Sequence, residues 1–259
     1  MNPAVLPSTA TIVVGAAVLG AIVGSFVGAA LERLPAGRSV VTGRSRCDHC
    51  STALSIQDLL PVVSWLALKG RCRTCGGPIG GWQLFCEVAA AGIGAAAAVF
   101  AAPGAVLAAM AFGWQLVLLA LLDLRHLWLP RLLTALLATS GLMLAVARSV
   151  AGHDPAPLIT AVQGGALGWG VLALVAAVYR IVRKRDGMGG GDPPLLGAIG
   201  LWMGPVGVIH VMLGGALVGL VAALALRIAG RSVGAGTALP LGSCLAVAAW
   251  PLFLASGFA

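Results

Sequence analysis

The chain has 259 residues, of which 59% are hydrophobic and only 9% charged. A soluble domain carries roughly 25% charged residues, so too little polar surface is left here to coat a water-soluble globule. The net charge of +8 invites a nucleic-acid reading, but the placement of the basic residues argues for a membrane.

Apolar residues come in continuous runs near the ~20 that cross a bilayer, without the alternation of a barrel strand. Only helices and closed barrels satisfy the backbone in hydrocarbon. The expected fold class is therefore all-α: a polytopic membrane protein of about eight transmembrane helices. The spans fall at about 10–31, 83–102, 105–122, 132–149, 158–180, 193–209, 211–228 and 238–257. The first lacks a basic segment before it and is followed by Glu32, Arg33 and further spans. It reads as a retained helix and not a signal sequence. With the N-terminus outside, every Lys and Arg except Arg148 falls on the inner side, as the positive-inside rule requires. The basicity is then a topology signal, and Arg183-Lys184-Arg185 is an anchor. Between spans six and seven only Gly204-Pro205-Val206-Gly207 and His210 suggest a turn. A single kinked helix there would invert everything after it.

Residues 34–82 interrupt the membrane pattern with a polar, cytoplasmic insertion. The expected organisation is a first transmembrane helix (1–33), this loop (34–82) and a multi-helix membrane core (83–259). About fifty residues make a small independent core, and such modules usually rely on metal or disulfides. The loop holds Cys47-Asp48-His49-Cys50 and Cys72-Arg73-Thr74-Cys75. Two CxxC pairs suit a closed tetrahedral Zn²⁺ shell of four thiolates. A reducing compartment disfavours disulfides. A redox CxxC and four unconnected thiols are the alternatives. Arg44, Arg46, Arg71 and Arg73 lie close enough in sequence to offset the thiolate charge. Cys86 and Cys244 sit in apolar spans and read as small hydrophobes.

There are eight acidic residues, so each is informative. Asp123 closes span three within Leu121 to Pro130, and Asp192 opens span six after Gly189-Gly190-Gly191. Both lie near the cytoplasmic side. Singly, each is explained as a helix-end residue, Asp192 as a cap. Together they fit a carboxyl pair that shares a proton, deprotonates a water and protonates a leaving amine. Gly189, Gly190 and Gly191 permit special backbone conformations and close approach, so an extended substrate segment can lie against them. Glu32 and Glu87 stand at inner helix ends, where solvation accounts for them; a role in the site is the alternative for Glu87. The four histidines are scattered, and no HExxH, GxSxG or phosphate-loop lysine is present.

Several of these segments, in order, resemble the bacterial type IV prepilin peptidases, or leader peptidase/N-methyltransferases. The likeness runs from Gly24-Ser25-Phe26-Val27 and Arg33-Leu34-Pro35, through the cysteine pairs with Asp58-Leu59-Leu60-Pro61 between them, to Asp123–Pro130 and Gly189-Gly190-Gly191-Asp192. The resemblance implies an inner-membrane endopeptidase that removes the leader of type IV prepilins or type II secretion pseudopilins. Many members then methylate the new N-terminus from S-adenosylmethionine. It makes Asp123 and Asp192 the catalytic pair. The chain departs from the family pattern at Gly28, where Asn is frequent, at Arg131, at Pro193-Pro194 and at Trp82-Gln83 with Cys86. The expected partners are a prepilin or pseudopilin substrate and membrane lipid, with no nucleic acid. The rival classes are a transporter lined by the two aspartates and a catalytically silent assembly scaffold. A transporter would place an ionisable group near mid-membrane and often shows repeated halves; the aspartates here sit at span ends.

Overall fold

Long Ala-, Gly- and Leu-rich runs form helices because their backbone bonds close within the segment. The computed structural model describes residues 9–42, 45–47, 49–184, 187–230 and 239–256. In chain order the helices are α1 (Thr9–Arg33), α2 (Val63–Ala67), α3 (Gly81–Phe100), α4 (Val106–His126), α5 (Arg131–Gly152), α6 (Ala156–Arg183), α7 (Asp192–Ile228) and α8 (Leu241–Ala255). Two short 3-10 helices, Ile56–Leu59 and Pro103–Ala105, and isolated β-bridges accompany them among the described residues. Prolines mark several starts: Pro130 and Pro240 at the N-caps of α5 and α8, and Pro193-Pro194 in the first turn of α7. A missing N–H costs nothing there, since that group has no partner within the helix. Six helices among the described residues are long and apolar enough to cross a membrane, and the apolar α8 is shorter.

The chain divides into two compact units, 1–114 and 115–259. In the first, α1 and α3 run antiparallel at very close range. A Cβ on Gly20 would collide with the Ala90 carbonyl, one on Gly94 with the Ala16 carbonyl, and one on Gly24 would lie 2.5 Å from the Cys86 oxygen. Small residues four apart let helix backbones meet in lipid, where packing replaces the hydrophobic effect as the driving force. Gly24→Val should therefore lower the thermal stability of the detergent-solubilised protein by about 2–4 kcal/mol. Gly15→Val, at a position with open space around it, should leave the melting curve unchanged.

In the second unit α6 packs antiparallel to the first half of α7: Thr160, Gly164 and Gly168 meet Gly204, Gly200 and Leu196. At Gly204 the backbone takes φ 67°, ψ −177°, and Pro205 follows. A Cβ on Gly200 would stand 2.9 Å from the Val208 side chain, although eight residues in a continuous helix span ~12 Å. The chain therefore reverses at Gly204. α8 registers both directions. Its Phe253 stacks edge-on with Trp202 at 6.0 Å. Ala248, Leu245 and Cys244 meet Gly214, Gly215 and Gly219 of the returning half. Spans six and seven are thus two helices, and their boundary is corrected from about 210 to Gly204. Gly204 alone supplies the positive φ, and Pro205 is preset for the first position of the next helix. His210 belongs to the returning helix and not to the turn.

Candidate metal centre and active site

The loop of the first unit is built from two copies of one hairpin. The Cys47 amide bonds the Thr52 carbonyl and the Ser51 amide bonds the Cys47 carbonyl; Cys72 repeats this with Gly77 and Gly76. The Arg46 guanidinium donates to the Ser51 carbonyl, and Arg71 donates to that of Gly76. Bridges Arg46–Ala53 and Arg71–Pro78 close the two hairpins. Each turn needs a positive φ at its fifth residue, 57° at Ser51 and 68° at Gly76. This repeat brings the Sγ atoms of Cys47, Cys50, Cys72 and Cys75 within 4.8 Å of one another. Cys47 and Cys75 lie 3.8 Å apart. Zn–S bonds of about 2.3 Å in a tetrahedron give S···S edges of about 3.8 Å, so the four residues fit a metal such as zinc. Thr52 holds the Cys50 thiol down to about 6 by hydrogen bonding. The Cys75 and Thr74 amides lower that of Cys72. Both effects favour the thiolate a metal requires, while desolvation and the neighbouring cysteines push Cys75 up to about 11.

Asp58 ties the middle of the loop to the second hairpin. Its carboxylate takes 2.6 Å and 3.1 Å bonds from the Ser55 hydroxyl and amide and pairs with Arg73 at 2.8 Å. Ser55, then Arg73, hold its carboxyl below the ordinary value. Of the arginines expected around the thiolates, Arg73 is thus committed to Asp58, and Arg44 lies outside the described residues, as does Asp48 of the first CxxC.

Glu87 is buried near the start of α3, within the first unit. One oxygen accepts the Val62 amide at 2.6 Å and the other the Gln83 side-chain amide at 2.9 Å. Val62 sits at φ 62°, ψ −50°, with the Val63 amide bonded back to the Pro61 carbonyl at 2.6 Å. This is a strained γ-turn for a β-branched residue. Glu87 therefore fastens the loop to the membrane helix. Gln83 also bonds Ser25 on α1, and its amide lies in the room that Gly28 leaves. Two departures from the family pattern are thus one packing arrangement.

In the second unit α4 and α7 carry Asp123 and Asp192 to the first turn of α8. Each of the two residues is only 5% exposed. Asp123 Oδ2 accepts the Ser243 amide at 2.7 Å and lies 3.1 Å from the Ser243 hydroxyl. A Cβ on Gly242 would stand 3.0 Å from the same oxygen. The Gly242 amide also faces Asp192, together with that of Gly189. Gly242 thus lies against both acids, and a side chain there would press on Leu129 and Asp123. The glycine run behaves similarly. A Cβ on Gly187 would collide with the Tyr179 ring, one on Gly191 would meet Leu129 at 2.7 Å, and one on Gly189 would reach Asp192 Oδ2 at 3.1 Å, while Gly190 is open. None of these glycines has a positive φ, so close approach, and not unusual backbone geometry, explains Gly187, Gly189 and Gly191, while no contact accounts for Gly190. A groove of about 280 Å³ opens beside Gly190 and Gly191, with Leu129, Arg131, Thr134, Ala138 and Pro194 on its walls.

Residues 18–101 match the bacterial peptidase A24 N-terminal domain, and residues 110–224 match the type IV leader peptidase family. The prepilin leader peptidase/N-methyltransferase of Burkholderia pseudomallei (strain K96243) is 33% identical over 80% of this chain and 75% of its own length. The type 4 prepilin-like proteins leader peptide-processing enzyme of Escherichia coli O78:H11 is 31% identical over 95% and 92%. The chain belongs to the type IV leader peptidase family. The Aeromonas hydrophila prepilin leader peptidase/N-methyltransferase is 34% identical over 82% of this chain and 71% of its own. No solved structure matches. The leader peptidase is a multi-pass membrane protein, and its two matched segments meet close to the border between its compact units. Sequence reasoning missed Gly242 and Ser243. Their signal was a small, polar pair just after Pro240 at the start of the last apolar run.

Proposed function

We propose that this leader peptidase cleaves the leader of type IV prepilins or type II secretion pseudopilins with Asp123 and Asp192 as its catalytic pair. The supporting observation is the meeting of these two buried acids at one helix turn, each faced by a backbone amide of residues 242–243. Two carboxyls this near share a proton. The ionised one takes a proton from water, whose oxygen attacks the scissile carbonyl. The protonated one donates to the leaving amine as the C–N bond breaks. The backbone of Gly189, Gly190 and Gly191, with the adjoining groove, offers an extended substrate segment a surface to lie on.

The topology that fits this chemistry places the N-terminus outside and the active site at the cytoplasmic face of the inner membrane. α6 extends about 11 residues, or ~16 Å, beyond the level of Asp192, and its end carries Arg180 and Arg183. Arg227 ends the returning half of α7 on the same side. On this reading the acids lie below the inner boundary, one to two helical turns or more short of the basic ends of these helices. The four cysteines hold one structural Zn²⁺, which stabilises the loop and takes no part in hydrolysis. The relatives' name also includes N-methyltransferase, and we carry to this chain methylation of the new N-terminal amine, with S-adenosylmethionine as donor. The partners are then the prepilin and membrane lipid, and nucleic acid has no part.

The test is incubation of purified protein with a prepilin and mass spectrometry of the product's N-terminus. A product shortened by the leader is expected, and a mass increase of one methyl group when S-adenosylmethionine is added. An intact prepilin with folded enzyme would favour the scaffold.

A further inference from the structure

Ser243 touches Asp123 at two points, and the proposed chemistry leaves it without a role. Its amide belongs to the first turn of α8, where N–H groups have no acceptor within the helix. The first bond of that helix runs from Cys244 to Pro240, so the Ser243 amide is free to bind the Asp123 carboxylate at 2.7 Å. A helix N-terminus favours a negative group there. The hydroxyl has two acceptors, the Ala120 carbonyl at 2.8 Å and Asp123 Oδ2 at 3.1 Å. It has one proton to give. Both contacts fall on Oδ2, and Oδ1 makes no hydrogen bond among the described residues.

We infer that Ser243 is a positioning residue for leader cleavage: it anchors Asp123 Oδ2, leaves Oδ1 as the working oxygen, and moves its hydroxyl proton between Asp123 and the Ala120 carbonyl as Asp123 changes charge. While Asp123 is ionised, the hydroxyl donates to Oδ2. When Oδ1 takes a proton from the attacking water, the negative charge on Oδ2 falls and the hydroxyl turns to Ala120. No bond is made or broken at Ser243. The inference rests on Asp123 and Asp192 being the catalytic pair.

Steady-state cleavage of a prepilin by Ser243→Ala tests it, with Ser243→Thr and Asp123→Asn measured alongside. The Ala variant keeps the amide anchor and loses the hydroxyl. Its kcat should fall roughly tenfold with KM unchanged, the size expected for one hydrogen bond to a charged group. Its melting temperature should match the parent, and Thr should restore most of the rate. A wild-type kcat in the Ala variant, or a loss carried by KM, would overturn the assignment. Should the Thr variant not fold, the kcat and melting curve of the Ala variant decide. Full activity in Asp123→Asn would remove the catalytic pair itself. Loss in Asp123→Asn beside full activity in Ser243→Ala would remove only the role of Ser243.

Discussion

Asp123→Asn and Asp192→Asn should each abolish leader cleavage, with losses of about 10³-fold or more. The two duties, accepting a proton from water and giving one to the leaving amine, are divided between the carboxyls. An amide performs neither. Asn has the size of Asp, and in Asp123→Asn its carbonyl oxygen can still accept the Ser243 amide that now binds Oδ2. The variant should therefore fold and insert normally. Mass spectrometry of the prepilin after incubation measures the outcome. Methylation of a pre-cleaved pilin should survive in both variants, because transfer to an amine does not call on the pair. A folded Asn variant that cleaves at near wild-type rate would end the aspartyl-protease reading.

The second large effect concerns the metal. Purified protein should contain about one zinc per chain, and Cys72→Ser with Cys75→Ser should reduce this to near zero. Binding of structural zinc by small domains supplies about 10–16 kcal/mol, more than a loop of this size gains from its own core. Without it, residues 45–80 should become sensitive to protease while the helices of the second unit remain protected. The hairpin of Cys47 and Cys50 would retain its local turn but lose its opposite half. A metal content that does not change in the double variant would refute the four-cysteine site.

The helices and the cysteine cluster were legible because each depends on local pattern. Apolar runs mark the long helices, and paired CxxC spacing marks four thiols that could hold a metal. What the sequence concealed depends on contacts between distant segments. The turn at Gly204 was visible only as a Gly-Pro pair in an apolar run, and its position required the packing against α6 and α8. Glu87 read as a solvated helix end, with a role in the site as the alternative, and its bonds to Val62 and Gln83 come from a loop 25 residues away and from its own helix. Gly242 and Ser243 stand about 120 residues beyond Asp123, and no periodicity connects them. The repeat of Arg46–Ala53 in Arg71–Pro78 was hidden because the two stretches share a hydrogen-bond pattern but little sequence beyond Arg-Cys-x-x-Cys.

The reversal at Gly204 also bears on the lipid around the second unit. The first half of α7, 192–203, is only ~18 Å long, and the 15 residues of α8 reach ~22 Å. A bilayer's hydrocarbon core is about 30 Å thick. Around such short helices the bilayer must thin or water must fill the difference, and either costs fractions of a kcal/mol per ångström. The longer α6 and the returning half of α7 fix the outer dimensions, so the mismatch of about 10 Å opens on the side where Asp123 and Asp192 lie. On the proposed assignment of Asp123 and Asp192 as the catalytic pair, that gap is where water would reach the two acids.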